Sequence, residues 1–238
     1  MPRLSVITIN YNNAHGLQKT IESVVSQTYS DFEFVIIDGG STDNSTEIIK
    51  KYLHKITYWV SEKDTGIYNA QNKGITAAKG EYCLFLNSGD YLVDNNVLTN
   101  VFSCGHSFDI IYGDMQIFDK NKRIQHRRMP NRIGVKQLYA DTLWHPVSFI
   151  KRKLFSMYGN YNEQFRIVAD YEFFVRTIIG KKVTTKHVPI EIAFFDTSGL
   201  SSHPDKRNQL NEERRKVQNL YFNSILLLFF RLYSKIRN

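Results

Sequence analysis

Cysteine is scarce in this chain: two residues, Cys83 and Cys104, among 238. Two thiols make no disulfide framework, and Cys83 lies in an apolar run where a buried, inert thiol is expected. Neither a C-x-x-C motif nor a His/Cys cluster is present, which removes the usual zinc sites. Glycine-rich phosphate loops are missing as well. No G-x-G-x-x-G follows the first strand-like run and no G-x-x-x-x-G-K-[ST] occurs, so dinucleotide-dependent oxidoreduction and P-loop phosphoryl transfer lose their main signals. The lack of a G-x-S-x-G turn argues against an α/β-hydrolase. Long apolar runs are also absent. The first, Leu4 to Ile9, is shorter than a secretory signal core and no small-residue cleavage site follows it. These absences point to a protein that stays in the cytoplasm.

What is present fits a globular chain. Apolar residues make up 42%, and the length allows one large domain. Lys and Arg total 31 against 23 Asp and Glu, a net charge of +8. That excess suits nucleic acid, phosphate-bearing small molecules or an anionic membrane surface. A nucleic-acid partner would call for basic residues interleaved with exposed aromatics on a recognised module, and none is found.

The periodicity predicts an alternation of strands and helices. Leu4 to Ile9, Phe32 to Ile37, Ile56 to Val60 and Tyr82 to Leu86 read as buried strands. Leu17, Ile21, Val24 and Val25, the segment Ser45 to Leu53, and Ile67 to Ala78 read as helices between them. This order predicts an α/β fold, a mostly parallel sheet flanked by helices, with ligands bound beyond the carboxyl ends of its strands. Those ends carry Asn10-Tyr11-Asn12-Asn13, Asp38-Gly39-Gly40-Ser41 and Asn87-Ser88-Gly89-Asp90. Asp109 to Asp114 and Met115 to Phe118 look like two further strands, and Lys120 to Lys136 is basic without a clear period. Tyr171 to Ile179 fits a helical face, and Val183 to Phe195 one or two strands.

Carboxylates at these ends carry the available chemistry. Asp38 can accept from a base or a ribose hydroxyl, or cap its own turn. Asp90, with Asn87, can hold Mg²⁺ or Mn²⁺ while a substrate's phosphates complete the shell. Asp170 precedes the Tyr171 helix at an N-cap position, and could serve as a general base as well as a cap. Arg127, Arg128, Arg132 and Lys136 could meet an acceptor's phosphate or form a solvated face.

Four blocks in order across residues 4 to 90 resemble the family 2 glycosyltransferases. They are Ser5 to Asn12, Val35 to Ser45, Ser61 to Gly74 and Phe85 to Asp90, with a fainter continuation through Tyr112-Gly113-Asp114 and Tyr161 to Arg176. The resemblance implies a GT-A (Rossmann-like) fold, a nucleotide-diphosphate-sugar donor and inversion at the anomeric carbon. By position, Thr8, Asn10 and Tyr11 would line the nucleoside pocket and Asp38 would read the base, most often uracil. Asp64 would close the pocket, with Asn72 and Lys73 supporting it. Asp90 would anchor the metal, and Asp170 would deprotonate the acceptor hydroxyl of a glycan or lipid-linked acceptor in polysaccharide synthesis.

The chain departs from the family pattern at several points. Asn87 and Gly89 stand where carboxylates are common in the metal motif, and Gln71 replaces a frequent Arg. Gln125 to Met129 echoes the Q-x-x-R-W of processive synthases but lacks the Trp, so processivity is not expected. A sugar-1-phosphate nucleotidyltransferase would open on a Gly-rich basic loop, which is missing; a catalytically inactive nucleotide-sugar-binding scaffold is the alternative from another class. Residues 1–210 would form the transferase domain, with 1–115 binding the donor and 116–210 the acceptor. Residues 211–238 would form a basic amphipathic helix. Its apolar run, Ile225 to Phe230, is too short for a bilayer, which takes about 20 residues. Arg214 to Lys216 precede it and Arg231, Lys235 and Arg237 follow, so segment 217–233 could lie on the inner membrane face, pack on the domain, or join a homodimer.

Overall fold

The computed structural model describes residues 1–103, 108–118, 123–197 and 204–237. Cys104, Lys120 and the side chains of Arg231, Lys235 and Arg237 lie outside the described residues.

The first half is an alternating unit. Strand β1 (Leu4–Asn10), helix α1 (Ala14–Val25), β2 (Phe32–Asp38), α2 (Ser45–Lys51), β3 (Tyr58–Ser61), α3 (Ile67–Ala77) and β4 (Tyr82–Phe85) follow in order. The four strands are parallel, in the spatial order β3-β2-β1-β4. Their side chains alternate between two cores: Leu4, Val6, Phe34 and Ile36 point to one, Ile7, Ile9, Val35 and Ile37 to the other. A strand buried on both faces needs helices on both, and the helices supply that cover. Parallel pairing also brings the carboxyl ends onto one edge. Asn10 lies opposite Asp38, and Asp38 opposite Ser61.

The second half turns the sheet mixed. After β5 (Tyr91–Leu92) and α4 (Val97–Ser103) come β6 (Ile110–Phe118), β7 (Ile124–Arg127), α5 (Val135–Ala140), β8 (Ser148–Lys151) and α6 (Lys153–Tyr158). Helix α7 (Ala169–Phe174) widens into π-helical turns over Val175–Gly180, and β9 (Thr185–Phe194) follows. Strand β8 runs antiparallel to both β4 and β6, so it joins the parallel half to the rest. Residues 110–118 are one strand where two were expected: Gly113-Asp114 is a register shift against β9, not a turn. The basic stretch holds β7 and the start of α5, with Arg127, Arg128, Arg132 and Lys136 all exposed. That is a solvated face.

The C-terminal extension is two helices, α8 (Arg207–Tyr221) and α9 (Ser224–Arg237). They break at Phe222-Asn223, where the Asn223 side chain accepts from the Ile225 amide. α8 buries Glu213, Val217 and Gln218, and α9 buries Leu227. Among the described residues no helix is long and apolar enough to cross a membrane.

Candidate active site

At the β1–β2 edge, polar residues form one connected cluster. The Asp38 carboxylate is fully buried and accepts four bonds: from Asn10 Nδ2 (2.7 Å), Ser41 Oγ (2.6 Å), the Ser41 amide (2.9 Å) and Ser61 Oγ (2.6 Å). Burial alone would raise its pKa, but the bonds from Ser41, Ser61 and Asn10 outweigh burial and hold it below the usual carboxylate value. A carboxylate has about four acceptor positions, and all are taken. Asp38 therefore shapes the pocket through Asn10 and Ser41. Two buried oxygens beside it, Thr8 Oγ1 and Asn10 Oδ1, have no hydrogen-bond partner among the described residues. Asp64 lies directly over Gly39, where a β-carbon would come within 2.4 Å of its Oδ2 and 3.3 Å of the Tyr11 ring. Only glycine permits that approach. Tyr11 itself is exposed at the rim. From α3, Asn72 bonds Tyr161 and Glu163, and Lys73 pairs with Glu62 and the Lys63 carbonyl, next to Asp64.

The second cluster is built on the turn after β4. Thr20 of α1 holds this turn from below, donating to the Asp90 carbonyl (2.7 Å) and accepting from the Gly89 amide (3.0 Å). Asp90 is buried; its Oδ1 accepts from the Asp196 amide, while Oδ2 has no hydrogen bond. Burial raises the Asp90 pKa, the neighbouring Asp196 charge adding to it and His145 opposing it. Gly89 (φ +110°) allows the Asp196 carboxylate to close in, since a β-carbon there would sit 2.5 Å from Asp196 Oδ2. A second carboxylate, Asp196, thus lies beside the Gly89-Asp90 turn, and one oxygen of Asp90 is without a hydrogen bond. That arrangement suits a divalent cation bound together with a diphosphate. Among the described residues no group of three acidic, His or Cys side chains could hold a metal unaided, so phosphate oxygens would have to complete the shell. Asn87, the other expected ligand, instead accepts from Gln71 Nε2 (3.2 Å) and meets His145 Nε2 (3.1 Å).

His145 links this turn to the third feature. It opens a short 3₁₀ turn, His145–Val147, just before β8. Its Nε2 is 3.8 Å from Asp90 Oδ2, an ion-pair distance, and its Nδ1 is 3.3 Å from Asp170 Oδ2. Burial alone would lower its pKa; the two carboxylates outweigh burial and raise it to about 9. The ring is therefore charged at neutral pH. Asp170 Oδ1 accepts from the Tyr68 hydroxyl (2.9 Å) and the Tyr171 amide (2.8 Å). Three donors thus aim one carboxylate.

Asp170 is in the first turn of α7 and not at its N-cap, which is Val168. Its carboxylate takes the Tyr171 amide within that turn, while a different carboxylate, Glu213 of α8, takes the amides of Ile167 and Val168 ahead of it. Asp170 is left to face a cavity of about 790 Å³, lined also by Tyr68, Asn87, Trp144, His145 and, from α8, Arg207 and Arg214. Of the sequence-derived site residues, only Asn87 and Asp170 reach this cavity. Thr8, Asn10, Tyr11, Asp38 and Asp64 gather at the neighbouring strand ends.

The family model for glycosyl transferase family 2 matches residues 5–167, more than half of the chain. The chain belongs to that family. It is 30% identical over 204 residues to a PGL/p-HBAD biosynthesis glycosyltransferase of Mycobacterium tuberculosis, covering 83% of this chain and 78% of that protein. It is 31% identical over 229 residues to an uncharacterized glycosyltransferase of the same species, covering 90% and 82%. Among solved structures it resembles S. aureus TarS (TM-score 0.70, 20% identity), covering 92% of this chain but 39% of that one. It also resembles TarS 1–349 in complex with UDP-GlcNAc (TM-score 0.69, 18% identity), covering 90% of this chain and 65% of that one. A further likeness is to the mannosyltransferase PcManGT of Pyrobaculum calidifontis in complex with GDP-Man and Mn²⁺ (TM-score 0.67, 16% identity), covering 90% and 63%. At these identities the structures establish the GT-A fold. The transferase is an enzyme that transfers sugars.

Several residues of the transferase's site escaped the sequence reading. Tyr68 lies within the Ser61 to Gly74 block, yet nothing in its spacing points toward Asp170. His145 and Asp196 come from segments without a periodic or motif signal. The sheet order carries them to the Asp90 turn: β8 lies beside β4, and β9 pairs with β5, the strand that follows Asp90.

Proposed function

We propose that the transferase carries a sugar from a UDP-sugar to a hydroxyl of a glycan or lipid-linked acceptor, with inversion at the anomeric carbon, in cell-surface polysaccharide synthesis. The observation that carries this reading is the pair of carboxylates held apart by one imidazole, Asp90 on the turn after β4 and Asp170 on the cavity floor. A single displacement asks for a base at the acceptor and charge compensation at the departing diphosphate, on opposite sides of the anomeric carbon. Asp170 is the base. Its Oδ2 takes the acceptor proton while Tyr68 and the Tyr171 amide hold Oδ1 still. Asp90 and Asp196 would hold a divalent cation, which when bound supplies Lewis-acid compensation for the diphosphate. At the nucleoside end, Asp38 fixes Asn10 so that its free Oδ1, with Thr8 Oγ1, can meet the base, and Asp64 and Tyr11 cover it. TarS bound to UDP-GlcNAc supports a uridine donor.

The acceptor would enter through the cavity. Trp144 offers a ring face for a sugar, and Arg207 and Arg214 offer cations for a phosphate or carboxylate. Beyond it, α9 exposes Ile225, Leu228, Phe229 and Leu232 on the side away from buried Leu227, with Arg215 and Lys216 exposed at the end of α8. Its 14 residues span about 21 Å, short of the ~30 Å hydrocarbon core. A basic-flanked apolar face of that length lies flat on an anionic bilayer. That would bring the cavity to a lipid-linked acceptor.

The test is a thermal-shift panel of nucleotide sugars, followed by transfer with the product's anomeric configuration read by NMR. Stabilisation by UDP-sugars and an inverted product are expected. Stabilisation by GDP-sugars alone would overturn the uridine assignment, and a retained anomer would overturn the single displacement.

A further inference from the structure

Helix α8 grips the segment that bears Asp170 at three points. Glu213, 6% exposed, turns its carboxylate onto the three amides that lead into α7. Its Oε1 accepts from the Arg166 amide (3.2 Å), and its Oε2 from those of Ile167 (2.9 Å) and Val168 (3.3 Å). Gln209, one turn earlier, donates to Oε1 (3.0 Å). One residue after Glu213, the Arg214 guanidinium stacks 4.2 Å over the Tyr171 ring, whose amide bonds Asp170. At the far end of α8 the Tyr221 hydroxyl donates to Glu172. The family match ends at residue 167 and reaches none of the α8 groups.

From this geometry we infer that Glu213 is a positioning residue for catalysis, and that α8 is a working part of the active centre. The inference rests on Asp170 being the base. The amides before a helix have no partner within the helix, and a buried one without an acceptor costs free energy. A negative charge at that end is favoured by the helix dipole as well. Glu213 meets both needs from another element of the chain, so the entry angle of α7 is set from outside. The Tyr68 hydroxyl is tied to the same segment, donating to the Ile167 carbonyl (2.7 Å) as well as to Asp170. If residues 166–168 drift, Tyr68 and Asp170 drift together. A displacement of about 1 Å at a reacting group can cost 10²-fold in rate. The donor residues on β1, β2 and the β4 turn have no bond to α8, so donor binding is spared.

The test compares Glu213→Ala and Glu213→Gln with Val217→Ala, which thins α8 packing without touching residues 166–168. Hydrolysis of the preferred UDP-sugar to UDP gives kcat and KM well below the melting temperature, and calorimetry gives UDP affinity. Glu213→Ala is expected to lose roughly 10- to 100-fold in kcat per folded molecule, with UDP affinity within about twofold of wild type. Glu213→Gln keeps one acceptor oxygen and should fall between, while Val217→Ala melts earlier with near-normal kcat. An unchanged kcat in Glu213→Ala, or an equal loss in Val217→Ala, overturns the inference. If Glu213→Ala does not fold, the same comparison is made with Glu213→Gln, and a wild-type kcat there overturns it. Asp170→Asn separates the two readings. Should it hydrolyse donor normally, Asp170 is not the base and both fail; should it be inactive while the Glu213 variants are normal, only the role of Glu213 fails.

Discussion

Replacing His145 with Gln tests the electrostatics of the site. The imidazole is raised from 6.5 to about 9 by Asp170 and Asp90, against burial. Between those two values the folded protein holds a proton at His145 that the unfolded chain does not. Its stabilising contribution is therefore complete below pH 6.5 and lost as pH rises through about 9. The ring is only 15% exposed, so solvent screening takes little from the pair. At about 1.4 kcal/mol per pKa unit the shift corresponds to a contribution of the order of 3 kcal/mol. His145→Gln keeps a polar side chain of similar reach but no charge, and leaves Asp90 and Asp170 facing each other uncompensated. Urea unfolding of both proteins at pH 6, 7.5, 9 and 10 gives the difference in unfolding free energy, in which titrating groups remote from His145 cancel. That difference should be of the order of 3 kcal/mol at pH 6 and shrink to a small packing remainder at pH 10. A difference that does not change with pH would show that folding leaves the His145 pKa at its unfolded value and refute the reasoning.

Asp170→Asn keeps an acceptor for Tyr68 and the Tyr171 amide and removes no cap, so melting should change little. Transfer rate should fall by roughly 10²–10⁴-fold with UDP affinity intact; early melting with a normal rate would make Asp170 structural. Mn²⁺ binding in the presence of UDP, followed by electron spin resonance, should vanish in Asp90→Asn and weaken in Asp196→Asn. Full donor turnover in EDTA by protein shown metal-free would contradict the cation's role. Leu228→Asp with Phe229→Asp should abolish co-sedimentation with anionic vesicles and leave UDP affinity unchanged. If those changes instead turn a dimer into a monomer in ultracentrifugation, the exposed face of α9 belongs to a second copy of the chain.

The donor half was legible because each of its elements is a local pattern. β1, β2 and β4 are short buried runs whose residues alternate between two cores, and each ends in a polar turn that a parallel strand requires. The second half has no such rule. Residues 110–118 read as two strands because Gly113-Asp114 looks like a turn. Asp114 is instead held within the sheet by the His187 ring (2.9 Å) and the Met129 amide (2.9 Å). Those partners are far away in sequence, and no local propensity encodes them. Val217 likewise belongs to an amphipathic helix by its spacing, yet only tertiary packing makes it part of the domain core.

The candidate site divides along the same line. Asp38, Asp64, Asp90 and Asp170 are visible in sequence because a carboxylate at the end of a strand or the start of a helix is conspicuous. What each does depends on neighbours that sequence does not supply. Asp38 was expected to read the base, but its four acceptor positions are filled by Asn10, Ser41 and Ser61. Asp170 was read as a helix cap or a base, and the amides just before its helix are taken instead by Glu213 of α8, from across the fold. Asp90 was expected to depend on Asn87, yet Asp196 from beyond β9 is the second carboxylate beside it. In each case the type of residue was readable and the partner was not. A carboxylate's chemistry is set by which donors reach it, and in this fold those donors arrive on strands and helices joined only by the sheet order.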